Sequence, residues 1–153
     1  LHGPNDGLWQ FRYPKPDELM PLGEGRVYDP SDDDQMTIVT FGNGVPFALR
    51  TARAVEAQTG KKTRVVDLRW LQPLNAEAIA KHAGDCKRII VVDEGRRSAG
   101  VGEGIITAIV EAGLGAKPLR RVVGADTYAP LAGAAFAVIP ADADIVNAAI
   151  DLV

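Results

Sequence analysis

Residues 35–60, QMTIVTFGNGVPFALRTARAVEAQTG, join a short uncharged strand to an amphipathic helix through a Gly-Asn-Gly turn, and this unit restricts the chain to folds built on a parallel sheet. Met36 to Phe41 is rich in β-branched and aromatic residues, the pattern of a strand covered on both faces. Gly42 and Gly44 supply backbone freedom to the turn around Asn43. Pro46 fits the first helical turn, where a missing N–H costs nothing, and Gly60 fits a left-handed stop.

The unit recurs. Thr63 to Leu68 reads as a second buried strand, left through Arg69 to Leu74. Asn75 follows as a helix N-cap, Glu77 sits in the first turn, and Leu74 with Ile79 can staple the helix start; that helix ends near Gly84. Lys87 to Val92 is a third strand, followed by a polar loop, Asp93 to Gly102, and a helix from Val101 to Ala112 stopped by Gly113. Leu119 to Val123 is the last strand and leaves through Gly124 to Pro130. After Pro140 a final helix begins near Asp142 or Asp144, with Ile145, Val146, Ala149 and Ile150 on its apolar face. Ahead of the first unit, Leu22 to Tyr28 is a brief strand, and the acidic turn Asp29 to Asp34 is too short for a crossover, which favours an antiparallel pairing with the next strand or a sharp reversal. The alternation predicts an α/β sandwich with helices on both faces of a mostly parallel sheet, its strand order reversing beside Met36 to Phe41.

Residues 1–21 hold His2, Gly3, Pro4 and three further prolines with no period, which reads as a connecting arm. Trp9, Phe11 and Tyr13 alternate there, as in an extended segment lying on another surface. With 153 residues, 46% of them hydrophobic, the chain suits one domain that buries ~70% of its unfolded surface. A net charge of −3 offers no basic footprint for nucleic acid or anionic membrane. The lone Cys86 cannot form an internal disulfide, which fits a reducing, cytoplasmic location. A start at Leu1 without methionine suggests a section of a longer polypeptide.

Function in such a sheet belongs to the loops where strands give way to helices. Gly100, Val101, Gly102, Glu103 and Gly104, preceded by Arg96 and Arg97, form a glycine-rich helix start of the kind that collects anions. The GxGxG spacing lacks the third glycine of a dinucleotide fingerprint, and no GKS or GKT occurs. The alternative is that these glycines let the helix approach the sheet or a neighbouring subunit, and the spacing favours it. Asn43, Asp93, Glu94, Asp126 and Tyr128 complete the strand-end candidates. Asp93 and Glu94 could act as an acid–base pair or anchor the loop through the arginines, and Asp126 could cap its own turn. His2 and His82 have no second ligand nearby, so no metal site is expected. No nucleophile has an adjacent base.

The ordered segments FGNG before a helix, DLRWLQPL, VVDEGRRSAGVGEGI and RRVVGADTYAP resemble the C-terminal domain shared by transketolase-like thiamine diphosphate enzymes. They resemble in particular the β-type part of the decarboxylating component of 2-oxoacid dehydrogenase complexes, of the pyruvate and branched-chain types. The resemblance covers residues 20–153, including PLGEGRVY. It implies a three-layer α/β/α sandwich with a five-stranded mixed sheet whose first strand is antiparallel. It divides the chain into residues 1–21, a linker after an absent pyrimidine-binding domain, and residues 22–153, the transketolase C-terminal-like domain. In the family, thiamine diphosphate, magnesium and the catalytic residues belong to two other domains. The resemblance therefore implies no catalytic, cofactor-binding or metal residue here, and a section that is inactive alone.

The partners implied are the missing cofactor-binding domains or an α-type subunit, a twin subunit in a homodimer, and the dihydrolipoyl acyltransferase core. Trp9, Phe11, Tyr13, the helix start at Gly100 to Gly104 and the Tyr128 loop are the expected contact surface. Two alternatives stay open: the same domain of a transketolase or deoxyxylulose phosphate synthase, and a stand-alone flavodoxin-like ligand-binding module.

Overall fold

The computed structural model describes residues 12–153. Nine regular elements follow in order: β1 (Arg26–Tyr28), β2 (Met36–Thr40), α1 (Gly44–Thr59), β3 (Thr63–Asp67), α2 (Ala76–Asp85), β4 (Arg88–Arg96), α3 (Val101–Glu111), β5 (Leu119–Gly124) and α4 (Asp142–Ile150). Short 3-10 turns occupy Pro16–Glu18 and Ala132–Ala137. The strands form one five-stranded sheet in the order β1-β3-β2-β4-β5. β1 lies antiparallel on β3, and every other pairing is parallel.

Alternation along the strands sorts the core into two layers. Val39, Val66, Ile89 and Val91 face Ile79 and Ala83 of α2 and Ile105 and Ile109 of α3. Met36, Ile38, Val65, Ile90 and Val92 face Ala48 and Val55 of α1 and Ile145 and Ala149 of α4. The result is the expected three-layer sandwich. Every residue of β2 is buried because strands flank both its edges and helices cover both its faces.

The reversal of strand order falls at β2, as the spacing predicts, and brings the exit of β2 beside the exit of β4. The Thr40 hydroxyl donates to the Val92 carbonyl at 3.0 Å. A Cβ at Gly44 would collide with Thr40 Oγ1, so this glycine serves close approach, while Gly42 (φ 56°) makes the turn. Gly60 stops α1 in the left-handed conformation (φ 70°), its N–H donating to the Glu56 carbonyl at 2.8 Å. Asn75 caps α2 by accepting from the Ala78 amide at 3.0 Å.

Several boundaries differ from the sequence reading. The first strand is confined to Arg26–Tyr28, since Leu22 is exposed and Gly23 turns the chain. It does not pair with β2, whose two edges are taken by β3 and β4, and lies outside β3 instead. β4 continues through the polar residues as far as Arg96, because β5 pairs with it beyond an irregularity after Asp93 and carries Gly124 opposite Arg96. On α4 the fully sealed positions are Ile145 and Ala149, with Val146 and Ile150 only half-buried. Among the described residues, 132–150 is the one stretch whose length and mean hydropathy, 1.4, match a membrane span. It is divided by Pro140 into the 3-10 turn and α4, and α4 closes the core. Trp9, Phe11 and His2 lie outside the described residues, whereas Tyr13 is almost fully exposed.

Candidate functional site

The four loops at the carboxyl ends of β2 to β5 converge at one edge, and the start of α3 lies among them. Asp93, at 3% exposure one of the few buried charges, turns back into this helix start. Its Oδ1 accepts the Gly95 amide at 2.7 Å and its Oδ2 accepts the Gly102 amide at 2.8 Å. A carboxylate here meets the positive end of α3 as well as two N–H groups. The anion that the glycine-rich start could collect is therefore supplied by the chain itself.

The glycines follow from that carboxylate. A Cβ at Gly100 would lie 2.8 Å from Asp93 Oδ2 and 2.8 Å from the Arg96 carbonyl. At Gly102 it would lie 3.1 Å from Asp93 Oδ2 and 3.4 Å from Arg121 Cδ. Gly102 is buried, Val101 packs against the α2–α3 core layer, and Glu103 and Gly104 face solvent. Glu103 accepts the Ala99 amide at 3.1 Å and lies 3.7 Å from the Arg121 guanidinium. A Cβ at Gly104 would meet only Leu74 Cδ2, at 3.4 Å.

Asp93 and Glu94 do not share a task. Alternation turns Glu94 the other way, half-buried, toward Asn43 at the exit of β2. Burial pushes its carboxyl above the ordinary carboxylate range; the Asn43 side chain opposes this and the charge of Asp93 adds to it. Asp126 does not cap its own turn. It accepts the Ser98 hydroxyl at 2.6 Å and the Ser98 amide at 3.4 Å, tying the loop after β5 to the loop after β4. The Ser98 hydroxyl holds the Asp126 carboxyl below its usual range, with Arg96 and Arg97 assisting.

Between these loops lies an open groove of about 250 Å3, walled by Glu94, Gly95 and Arg96 on one side and by Thr127, Val138 and Ile139 on the other. Tyr128, 88% exposed, stands on its rim. Leu131 (90% exposed) and Phe136 (59% exposed) follow in the same segment between β5 and α4 and carry no signal in the sequence beyond their apolar character. At the exit of β3, Arg69 Nε donates to Asp67 Oδ2 at 2.9 Å, which keeps that loop closed on itself.

The resemblance implies thiamine diphosphate and magnesium in the parent enzyme. Among the described residues no three of His, Cys, Asp and Glu come together as metal ligands. Of the α3 amides that could hold a diphosphate, that of Gly102 is spent on Asp93 and that of Glu103 on the Gly100 carbonyl. His82 is on α2, away from this edge, its Nδ1 buried without a partner. The described residues at this edge do not fit the cofactor.

The family model for the transketolase C-terminal domain matches residues 25–145. The pyruvate dehydrogenase E1 component subunit beta of Staphylococcus aureus (strain COL) is 29% identical over 141 residues, covering 91% of this chain and 43% of that protein. The subunit of the same description from Rhizobium meliloti is 29% identical over 125 residues, covering 80% of this chain and 26% of that one. The chain thus spans less than half the length of these curated relatives. Among solved structures, a split-gene transketolase described as an inactive beta4 tetramer matches with a TM-score of 0.72 and 24% identity over 90% of this chain and 44% of its own. A 2-oxoglutarate:ferredoxin oxidoreductase from Magnetococcus marinus matches with a TM-score of 0.58 and 16% identity over 84% of this chain and 19% of its own. At such identities these two structures speak for the fold alone.

Proposed function

The chain belongs to the transketolase C-terminal domain family, and on that premise we propose that it is the assembly domain of a thiamine diphosphate-dependent 2-oxoacid dehydrogenase, the decarboxylating and acyl-transferring component. The observation that carries the reading is the fate of the switch-point edge, where ligands bind in open α/β sheets. Asp93 fills the α3 start, Asp126 is spent on Ser98, and what remains outward is the exposed Tyr128, Leu131 and Phe136 together with Arg96 and Arg97. Such a surface suits protein contact better than catalysis.

In this reading thiamine diphosphate and magnesium bind to other domains or to an α-type subunit of the parent enzyme, and this section alone neither holds them nor turns over substrate. The twin subunit and the dihydrolipoyl acyltransferase core are its further partners, in a cytoplasmic complex with no role for nucleic acid or membrane. Residues 1–21 serve as the linker and residues 22–153 as the domain. Curated relatives described as pyruvate dehydrogenase subunits support the 2-oxoacid class, with pyruvate or a branched-chain 2-oxoacid as substrate.

The test is reconstitution of the chain with the polypeptide encoded next to it, assayed for 2-oxoacid-dependent reduction of an artificial electron acceptor. Activity with pyruvate or 3-methyl-2-oxobutanoate that requires both polypeptides is the expected result. Ketol transfer between sugar phosphates, or 2-oxoacid oxidation unchanged when this chain is left out, would overturn the reading.

A further inference from the structure

We propose that this chain binds an aliphatic α-amino acid, as the zwitterion, in a cleft at the amino ends of β2 and β3, the edge opposite the Asp93 loops. The site is independent of the assembly reading, since it uses other residues and another edge of the sheet.

The cleft measures about 700 Å3 and lies between the turn that joins β1 to β2 and helix α1. Asp34, 6% exposed, lines it from the turn. Its Oδ2 accepts the Ser31 amide and Arg64 Nε, each at 2.9 Å, whereas its Oδ1 is buried with no partner. The hydroxyl of Thr63, a residue of the same lining, is likewise buried and unpartnered. Buried oxygens are nearly always hydrogen-bonded, and leaving one without a donor is costly. Two such oxygens around one cleft mark a place for donors that the chain itself does not supply.

The charges around the cleft say which donors. Four carboxylates line it, Asp29, Asp32, Asp34 and Glu56, against two cations, Arg53 and Lys62. A phosphorylated ligand would meet an excess of negative charge. A metal ion fits no better, since among the described residues no three potential ligands converge. An ammonium group brings positive charge and several donors, which suits Asp34 Oδ1 and Thr63 Oγ1 together. A plain amine would leave Arg53 and Lys62 facing a like charge. Among the described residues the Arg53 side chain has no hydrogen bond or ion pair, and Lys62 reaches only the Ser31 hydroxyl, at 3.4 Å. A carboxylate beside the ammonium answers both cations. Leu49, Ala52 and Tyr28 complete the lining and offer an apolar wall to an aliphatic side chain.

Titration calorimetry of the full chain decides the matter, with L-leucine as the probe. Isoamylamine and 4-methylpentanoate, which keep only its amine and only its carboxylate, are the controls. A saturable isotherm with L-leucine is expected, with each control at least about tenfold weaker. Arg53→Ala, at an exposed position of α1, should weaken L-leucine about tenfold and leave isoamylamine unchanged, a split that damage to the fold would not produce. Asp34→Asn should weaken L-leucine and isoamylamine alike; if circular dichroism shows that this variant does not fold, the Arg53→Ala split decides alone. No saturable heat at millimolar L-leucine overturns the proposal. So does either control binding as tightly as L-leucine, or L-leucine binding that is indifferent to Arg53→Ala. Failure here leaves the reconstitution assay as an independent test of the assembly reading.

Discussion

Replacing Asp93 by alanine should be among the most damaging single substitutions in this domain. The carboxylate is buried and accepts the Gly95 and Gly102 amides at 2.7 and 2.8 Å. Alanine leaves the buried Gly102 donor without a partner, at about 1–3 kcal/mol, and removes the bond to the exposed Gly95 amide, worth about 0.5–1.5 kcal/mol. It also removes a negative charge from the first turn of α3, which is worth about 0.3–1 kcal/mol and more where water is excluded. The sum is on the order of 2–5 kcal/mol, a large share of the ~5–15 kcal/mol that holds such domains together. Asp93→Asn keeps the shape and one acceptor but turns an NH2 toward one of the two amides, so about 2 kcal/mol should be lost. Urea unfolding followed by circular dichroism gives both values from the shift in midpoint at constant slope. An alanine variant within about 1 kcal/mol of the wild type would refute the view that this carboxylate organises the α3 start.

Three smaller outcomes follow from other parts of the fold. Removing the α2 cap by Asn75→Ala should cost about 1 kcal/mol, measured in the same unfolding assay. The Cys86 thiol is buried, and burial raises its pKa, so a disulfide reagent should label it only at the rate of unfolding; immediate labelling in the native state would contradict this. Burial, with Arg64 adding to it, holds His82 below its ordinary value of 6.5. As the pH falls through that value, the unfolded chain takes up a proton that the folded chain refuses. Stability should therefore decline from near neutrality downward until folded His82 is itself protonated, and His82→Gln should flatten that part of the profile.

Local signals carried most of the architecture. Gly60 as the stop of α1, Asn75 as the cap of α2 and the uncharged run of β2 were legible because each depends on neighbours within a few residues. The pairing of β1 with β3 was not, since three residues with a mixed pattern say nothing about which strand edge is free. Nor was the length of β4: Asp93 to Arg96 read as a polar loop, and only their pairing with β5 makes them strand. The same distance hid the role of Asp93. An acid two residues before a glycine signals a local turn, and the bond to Gly95 honours it, but the bond to Gly102 exists only because α3 returns to the sheet. Asp126 shows the converse, its expected local turn giving way to Ser98, 28 positions earlier.

Titration calorimetry of the isolated chain with thiamine diphosphate in the presence of magnesium tests most directly whether this domain serves assembly while the cofactor is held elsewhere. No saturable heat is the predicted result. A one-to-one isotherm of micromolar affinity would contradict it.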